Sequence, residues 1–388
     1  MKENKKGCGC AVTAVIVGLI LLVAGALAGW YLLGKYKPST ELADKGKLFG
    51  IKSGQVALVL DNELQDTKAI YEDNQVYLPV GWVNEYLNQR FYWDENEKLL
   101  VYALPDSIVY ADAETMGSSG PLLKVKEDGV YLSLGLVTNY TDIRTEAFDT
   151  SQIKRVFIDT LWNPVPKAQA KRDGKLRARG GVKSPIITDV AKGDRLTVLD
   201  AMEKWSKVRT EDGYMGYIEN RRLEEQEPEP QLSTFEAPVY TNISLDEPVI
   251  LAFHQVFSQE ANNKFEELIE KTKGVNVVVP SWFVMTDNQG NYSSIASRDY
   301  VEKAHARGIQ VWAMLNNVST KESAAINTRE LMGSTSNRKK LIASLMEDAD
   351  NYGFDGINLD FEGLKAEAGP HYVQFIRELS VACRQKGL

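Results

Sequence analysis

Eight consecutive residues, Asp355-Gly356-Ile357-Asn358-Leu359-Asp360-Phe361-Glu362, have the types and spacing that could do chemistry. Read as a strand, they alternate with period two: Ile357, Leu359 and Phe361 share one face, and Asn358, Asp360 and Glu362 share the other. Same-face neighbours along a strand lie roughly 6–7 Å apart, so the carboxyl groups of Asp360 and Glu362 can act on one small molecule. If the strand is central in its sheet, three inward polar groups are expensive unless they are paired or used. An edge strand with one wet face is the plainer alternative.

The surrounding elements decide between these readings. From residue 249 onward, short apolar runs alternate with helix-length amphipathic segments: 249–253 then 261–273, 275–279 then 299–307, 310–315 then 338–352, and 356–361 then 370–386. The order βαβαβαβα predicts a parallel sheet with helices outside it. The runs 275–279 and 309–315 are nearly continuously apolar, as strands buried on both faces are. In barrels built this way the working groups gather at the carboxyl ends of the strands, and Glu362 falls at such an end.

The octapeptide resembles the D-x-x-D-x-D-x-E signature of family 18 glycoside hydrolases, the chitinase-like (β/α)8 barrels. It matches at Asp355, Asp360 and Glu362, with Asn358 where most members carry an aspartate. The form Asp-Gly-Ile-Asn-Leu-Asp-Phe-Glu is similar to the spore-germination and cortex-lytic N-acetylglucosaminidase branch, as are Val279-Pro280-Ser281-Trp282-Phe283 and Gln310-Val311-Trp312-Ala313. The resemblance runs from Pro248 to the end. It implies that Glu362 is the general acid that protonates the glycosidic oxygen. The nucleophile would be the substrate's own 2-acetamido oxygen, the substrate-assisted variant of retention. It further implies that Asp360 bonds the acetamido N–H and stabilises the oxazolinium intermediate, with Asn358 and Asp355 as its supporting shell. No metal or cofactor is implied. Asparagine at 358 removes one negative charge, which predicts a less coupled titration than three aspartates would give.

Other residues near the strand ends carry two readings each. Trp282, just past the second strand, either stacks on a sugar ring or caps the barrel core. Asn316 and Asn317, after the third strand, either bond sugar hydroxyls or form a turn. His305 and His371 read as solvated, whereas His254 follows the first strand and is a candidate to line the site. An eight-unit barrel takes roughly 250 residues, and this segment supplies four units. It therefore reads as the first half of a (β/α)8 barrel, ending at the helix-capping Gly387, with open sheet edges and no expected activity on its own. The resemblance places a tyrosine that contacts the acetamido group and a tryptophan that floors the sugar site in the other half.

At the opposite end, residues 11–33 carry no charge and are long enough to span a bilayer. Lys2, Lys5 and Lys6 precede them, which puts residues 1–10 in the cytoplasm and the rest outside, as in a Gram-positive-type bacterium. Ala26-Leu27-Ala28 offers a signal-peptidase site as the alternative. Cys8, Cys10 and Cys383 make neither a disulfide framework nor a zinc spacing.

Between the ends, residues 50–160 contain an internal repeat. The stretch from Asp73 to Val83 returns as Glu127 to Val137, and each copy reads as a turn, a strand and a short helix. This duplicated α+β module is similar to the N-terminal-domain repeats of copper amine oxidases, a resemblance that brings no copper because no His or Cys lies between Lys35 and Thr160. Residues 165–224 resemble a bacterial SH3-type barrel, with short alternating strands around Trp205 and Tyr217. These two rings could form a groove for peptidoglycan stems or pack in the core, and Lys171, Arg172, Lys175, Arg177 and Arg179 could meet anionic wall polymers or water. Residues 225–245 read as a charged, proline-containing linker. A net charge of −8 argues against a nucleic-acid partner.

Taken together, the sequence predicts a multidomain chain: a transmembrane helix, a small α+β repeat domain, an SH3-like β-barrel, and half a TIM barrel over residues 246–388. The expected function is membrane-anchored hydrolysis of N-acetylglucosamine-containing cell-wall glycan, peptidoglycan or chitin-like. The alternative is a non-catalytic wall-binding surface protein.

Overall fold

The computed structural model describes residues 8–149, 153–318 and 326–388. They form two compact units, Met1–Tyr71 with Ile143–Thr234, and Glu72–Asp142 with Phe235–Leu388. These units cut across the boundaries read from the sequence: the middle of the repeat region groups with the barrel segment, and its flanks group with the SH3-like strands.

The first unit opens with one helix, Cys8–Tyr36. Its stretch Thr13–Tyr36 is apolar and unburied, and at 1.5 Å per residue it is about 36 Å long, enough to cross a bilayer. The lysines that set its predicted orientation lie outside the described residues. Further on, Gln55–Leu60 pairs in parallel with Arg155–Asp159 and antiparallel with the strand that starts at Glu63. The reversal between Leu60 and Glu63 uses Asp61 and Asn62, both with positive φ, as a two-residue hairpin requires.

Seven antiparallel strands follow, closed around Leu176, Ile187, Val190, Leu196, Val208 and Ile218. The last of them corrects the linker reading. Leu223–Glu229 is a strand paired with Val165–Ala170. Its charges face water, Glu229 pairs with Lys167, and the edge position tolerates Pro228. Trp205 and Tyr217 stay outside this core, half-buried. The basic cluster is largely used internally: Arg177 is buried and donates to the Ser39 and Ser184 carbonyls, and Arg172 donates to the Arg221 carbonyl.

In the second unit the two repeat copies pair with each other. Gln75–Pro79 and Gly129–Ser133 run antiparallel, with Leu78 opposite Leu132, and each strand leads into a seven-residue helix. A further hairpin, Tyr92–Asp94 with Leu99–Ala103, reaches the barrel segment through its turn. The buried Asp94 carboxylate accepts from the Thr335 N–H and hydroxyl at 2.6 Å, and Glu97 accepts from the Ser336 N–H at 2.7 Å. Ser334 takes the Asn337 N–H. The first three N–H groups of helix Thr335–Tyr352 are thereby satisfied, with two carboxylates at the positive end of its dipole.

Behind this turn, Arg338 is fully buried. It pairs with Glu378 at 2.9 Å, donates to Thr335 and to the Met332 carbonyl, and lies over the Tyr92 ring. His371 reads from sequence as solvated, but it is half-buried and shares a 2.7 Å hydrogen bond with the Tyr92 hydroxyl.

The barrel segment has four parallel strands, Leu251–His254, Val277–Pro280, Gln310–Asn316 and Gly356–Asp360, paired in chain order. Val277, Val279 and Met314 are buried on the inner face with Leu251 and Trp312 against them. Val278, Val311, Ala313 and Leu315 are buried on the helix side. This two-sided burial matches the continuous apolar runs. The first crossover departs from expectation: instead of a helix over 261–273 there is a 3₁₀ turn, Gln259–Lys264, and one short helix, Phe265–Ile269. The Asn262 side chain bonds the Ile295 carbonyl and the Trp282 indole, and such side-chain bonding competes with regular helix. An additional short helix, Thr328–Gly333, precedes the third crossover helix.

Two measurements check this packing. Arg338→Ala leaves Glu378 charged and buried, and should destabilise the second unit by roughly 3–5 kcal/mol. Lys386→Ala breaks only the outer pair with Asp350 and should cost less than about 1 kcal/mol; urea unfolding compares the two. Burial, with Arg338 and Arg329 adding, holds His371 below its ordinary 6.5. The unfolded ring therefore takes its proton at a higher pH than the folded one, so stability should fall as pH drops below about 6.5. Melting curves from pH 7.5 to 5.5 should be flatter for His371→Gln than for the parent.

Candidate active site

Parallel register places the polar groups. Gly356, Asn358 and Asp360 stand opposite Trp312, Met314 and Asn316, and Met314 belongs to the inner-face cluster. Alternation then turns Asn358 and Asp360 inward, while Ile357, Leu359 and Phe361 pack on the helix-side core. Gly356 has a steric reason: a Cβ there would meet the Trp312 ring at 2.9 Å. The indole can cross the start of the fourth strand only over a glycine.

Asn358, Asp360 and Glu362 open into one cleft of about 990 Å³, bordered also by His254, Phe257 and Asn316. Glu362 lies two residues past the strand and is exposed, whereas Asp360 is half-buried. One carboxyl group in water's reach beside a more sheltered one fits a proton donor next to a hydrogen-bond acceptor. Among the described residues, no three His, Cys, Asp or Glu side chains gather as a metal site.

Asp355 is not part of this group. Its carboxylate accepts from the Val311 N–H and pairs with His305 Nε2, both at 2.8 Å, at the opposite end of the strand. It ties the third strand and its preceding helix to the start of the fourth. His305, read as solvated, is thus engaged.

Trp282 is 1 % exposed, with its indole N–H on Asn262 Oδ1 at 2.8 Å and its ring against Tyr300. Burial favours the core reading over a sugar platform, although one edge borders the cleft. Phe257 does present a ring there, 76 % exposed, and sequence inspection passed over it because it lies in no periodic element.

His254 lines the cleft and meets the Tyr300 hydroxyl at 3.0 Å through Nδ1. Burial lowers its pKa and raises that of Tyr300, so the ring is neutral near pH 7.

The tandem asparagines take different jobs. Asn316 lines the cleft, and its Oδ1 accepts from the Val318 N–H in a local turn. Asn317 bonds the backbone of Glu362 twice: Nδ2 donates to the Glu362 carbonyl at 2.9 Å, and Oδ1 accepts from the Glu362 N–H at 2.8 Å.

Residues 213–387 match the model of the family Glycosyl hydrolases family 18, and residues 173–224 match that of the Bacterial SH3 domain. Among solved structures, the chain is similar to a chitinase from Chromobacterium violaceum, at 23 % identity and a TM-score of 0.30 over 36 % of this chain and 43 % of that one. It is also similar to the spore cortex-lytic enzyme SleL of Bacillus megaterium, at 15 % identity and 0.31 over 41 % and 36 % of the two chains. The SleL of Bacillus cereus gives 17 % and 0.30 over 38 % and 36 %. The chain spans less than half the length of each of these structures. No curated protein matches it. The chain carries a bacterial SH3 domain and a glycosyl hydrolase family 18 domain, the latter with Asn358 and Asp360 on its fourth strand and Glu362 two residues beyond it.

Proposed function

We propose that this chain supplies the acid-bearing strand of a membrane-anchored glycosidase that cleaves N-acetylglucosamine-containing cell-wall glycan by substrate-assisted retention. The observation that carries the reading is the convergence of Asn358, Asp360 and Glu362 on one cleft at the carboxyl end of the sheet. Glu362, exposed at the mouth, protonates the glycosidic oxygen. Asp360, deeper on the same face, accepts the acetamido N–H and steadies the positive charge that develops on the ring formed by that group. Asn358 supports Asp360 from the next inward position. Asp355 contributes at a distance, by fixing the register of the strand.

The helix Cys8–Tyr36 supports anchoring, and an SH3 domain ahead of the hydrolase domain suits a protein that works against the wall. A secretion signal would account for the same helix.

In an eight-unit barrel that contains this segment, Glu362→Gln should lower kcat on N-acetylglucosamine oligomers by about 10²–10⁴-fold while oligomer binding persists. Asp360→Asn should cost about 10²–10³-fold. Steady-state kinetics with the oligomer, and binding by calorimetry, check both. Hydrolysis by Glu362→Gln at the parent rate would sink the acid assignment. A parent chain that binds oligomers and never cuts them would point to a wall-binding protein instead.

A further inference from the structure

We infer that Asn317 is the positioning residue for Glu362, an assignment that rests on the hydrolase reading above. The last ladder pair between the third and fourth strands is Asn316 with Asp360. Beyond it, Glu362 has no backbone partner in the third strand, and Gly363 turns away with a φ of +64°. An exposed carboxylate on the final residue before a left-handed turn has little of its own to fix its direction.

The Asn317 amide supplies what the sheet no longer does. Its donor and acceptor ends meet the carbonyl and the N–H of the same residue, at 2.9 and 2.8 Å. An antiparallel hydrogen-bonded pair exchanges the same two bonds. The side chain thus extends the ladder by one step, at the residue from which the acid group springs. Asn316 prepares it: its own Oδ1 holds the Val318 N–H, pinning the chain on both sides of Asn317. Displacement of a reacting group by about 1 Å can cost on the order of 100-fold in rate, so fixing this backbone bears on kcat rather than on substrate binding.

The test uses an eight-unit barrel that contains this segment as the parent, with an N-acetylglucosamine tetramer as substrate and deuterium exchange read at the Glu362 amide. Asn317→Ala should speed that exchange and lower kcat by about 10- to 100-fold, with KM within about twofold. Asn317→Asp keeps the acceptor for the Glu362 N–H and loses the donor, so it should fall between alanine and the parent. Unchanged exchange in Asn317→Ala would overturn the clamp. Faster exchange with an unchanged kcat would overturn its catalytic consequence. A parent chain that binds the tetramer without cutting it would fail the hydrolase reading and this assignment with it, whereas equal cutting by parent and Asn317→Ala would fail this assignment alone.

Discussion

The start of helix Thr335–Tyr352 is held by side chains that belong to the repeat module. Asp94 and Glu97 fill N–H groups that the helix cannot satisfy itself, and Arg338, one turn in, is neutralised by Glu378 and covered by Tyr92. A buried guanidinium is costly without such partners. The inner side of this helix supplies Leu341, Leu345 and Met346 to the cluster against which Ile357, Leu359 and Phe361 pack. The strand that carries Asp360 therefore rests on a helix whose first turn a different module completes. Residues 72–142 thus belong to the same compact unit as the strand that carries Asp360.

The site itself depends on parity. The second and third strands bury apolar side chains on both faces, whereas on the fourth Asn358 and Asp360 take inward positions. Their polarity is tolerable because those positions open to a cleft rather than to a filled interior. At the other end of the same strand, Gly356 and Asp355 set its height. One makes room for Trp312, and the other bonds Val311 and His305. The cleft at the carboxyl end is thus shaped by contacts some five residues earlier.

Much of this was legible beforehand. The alternation of residues 355–362 predicted which side chains share a face, and the apolar runs predicted the order of the strands, because both signals are local and periodic. The repeat likewise announced two strand–helix copies. The misses share a different cause. Asp94, Glu97 and Tyr92 meet the barrel helices across more than 230 residues, and no periodicity encodes such a contact. Asn262 broke an expected helix by spending its amide on Trp282, which also holds the Trp282 ring in the core. Residues 225–229 look like the start of a linker by composition, but an edge strand can be equally charged. Asn317 is a turn former by type, and only coordinates reveal that its amide fits the Glu362 backbone.

The separation between Asp94 and Thr335, 241 positions, has a consequence for how the molecule is made. At about 5–20 residues per second of synthesis, the hairpin that carries Asp94 emerges tens of seconds before the helix it will cap. During that interval Asp94 has only the Asn96 and Glu97 N–H groups of its own turn, and the helix, once made, begins with unsatisfied N–H groups until the two meet. Contacts of such long range slow folding, because loop closure must precede the gain. The start of this helix should therefore be completed late, when residues made early and late in the chain meet.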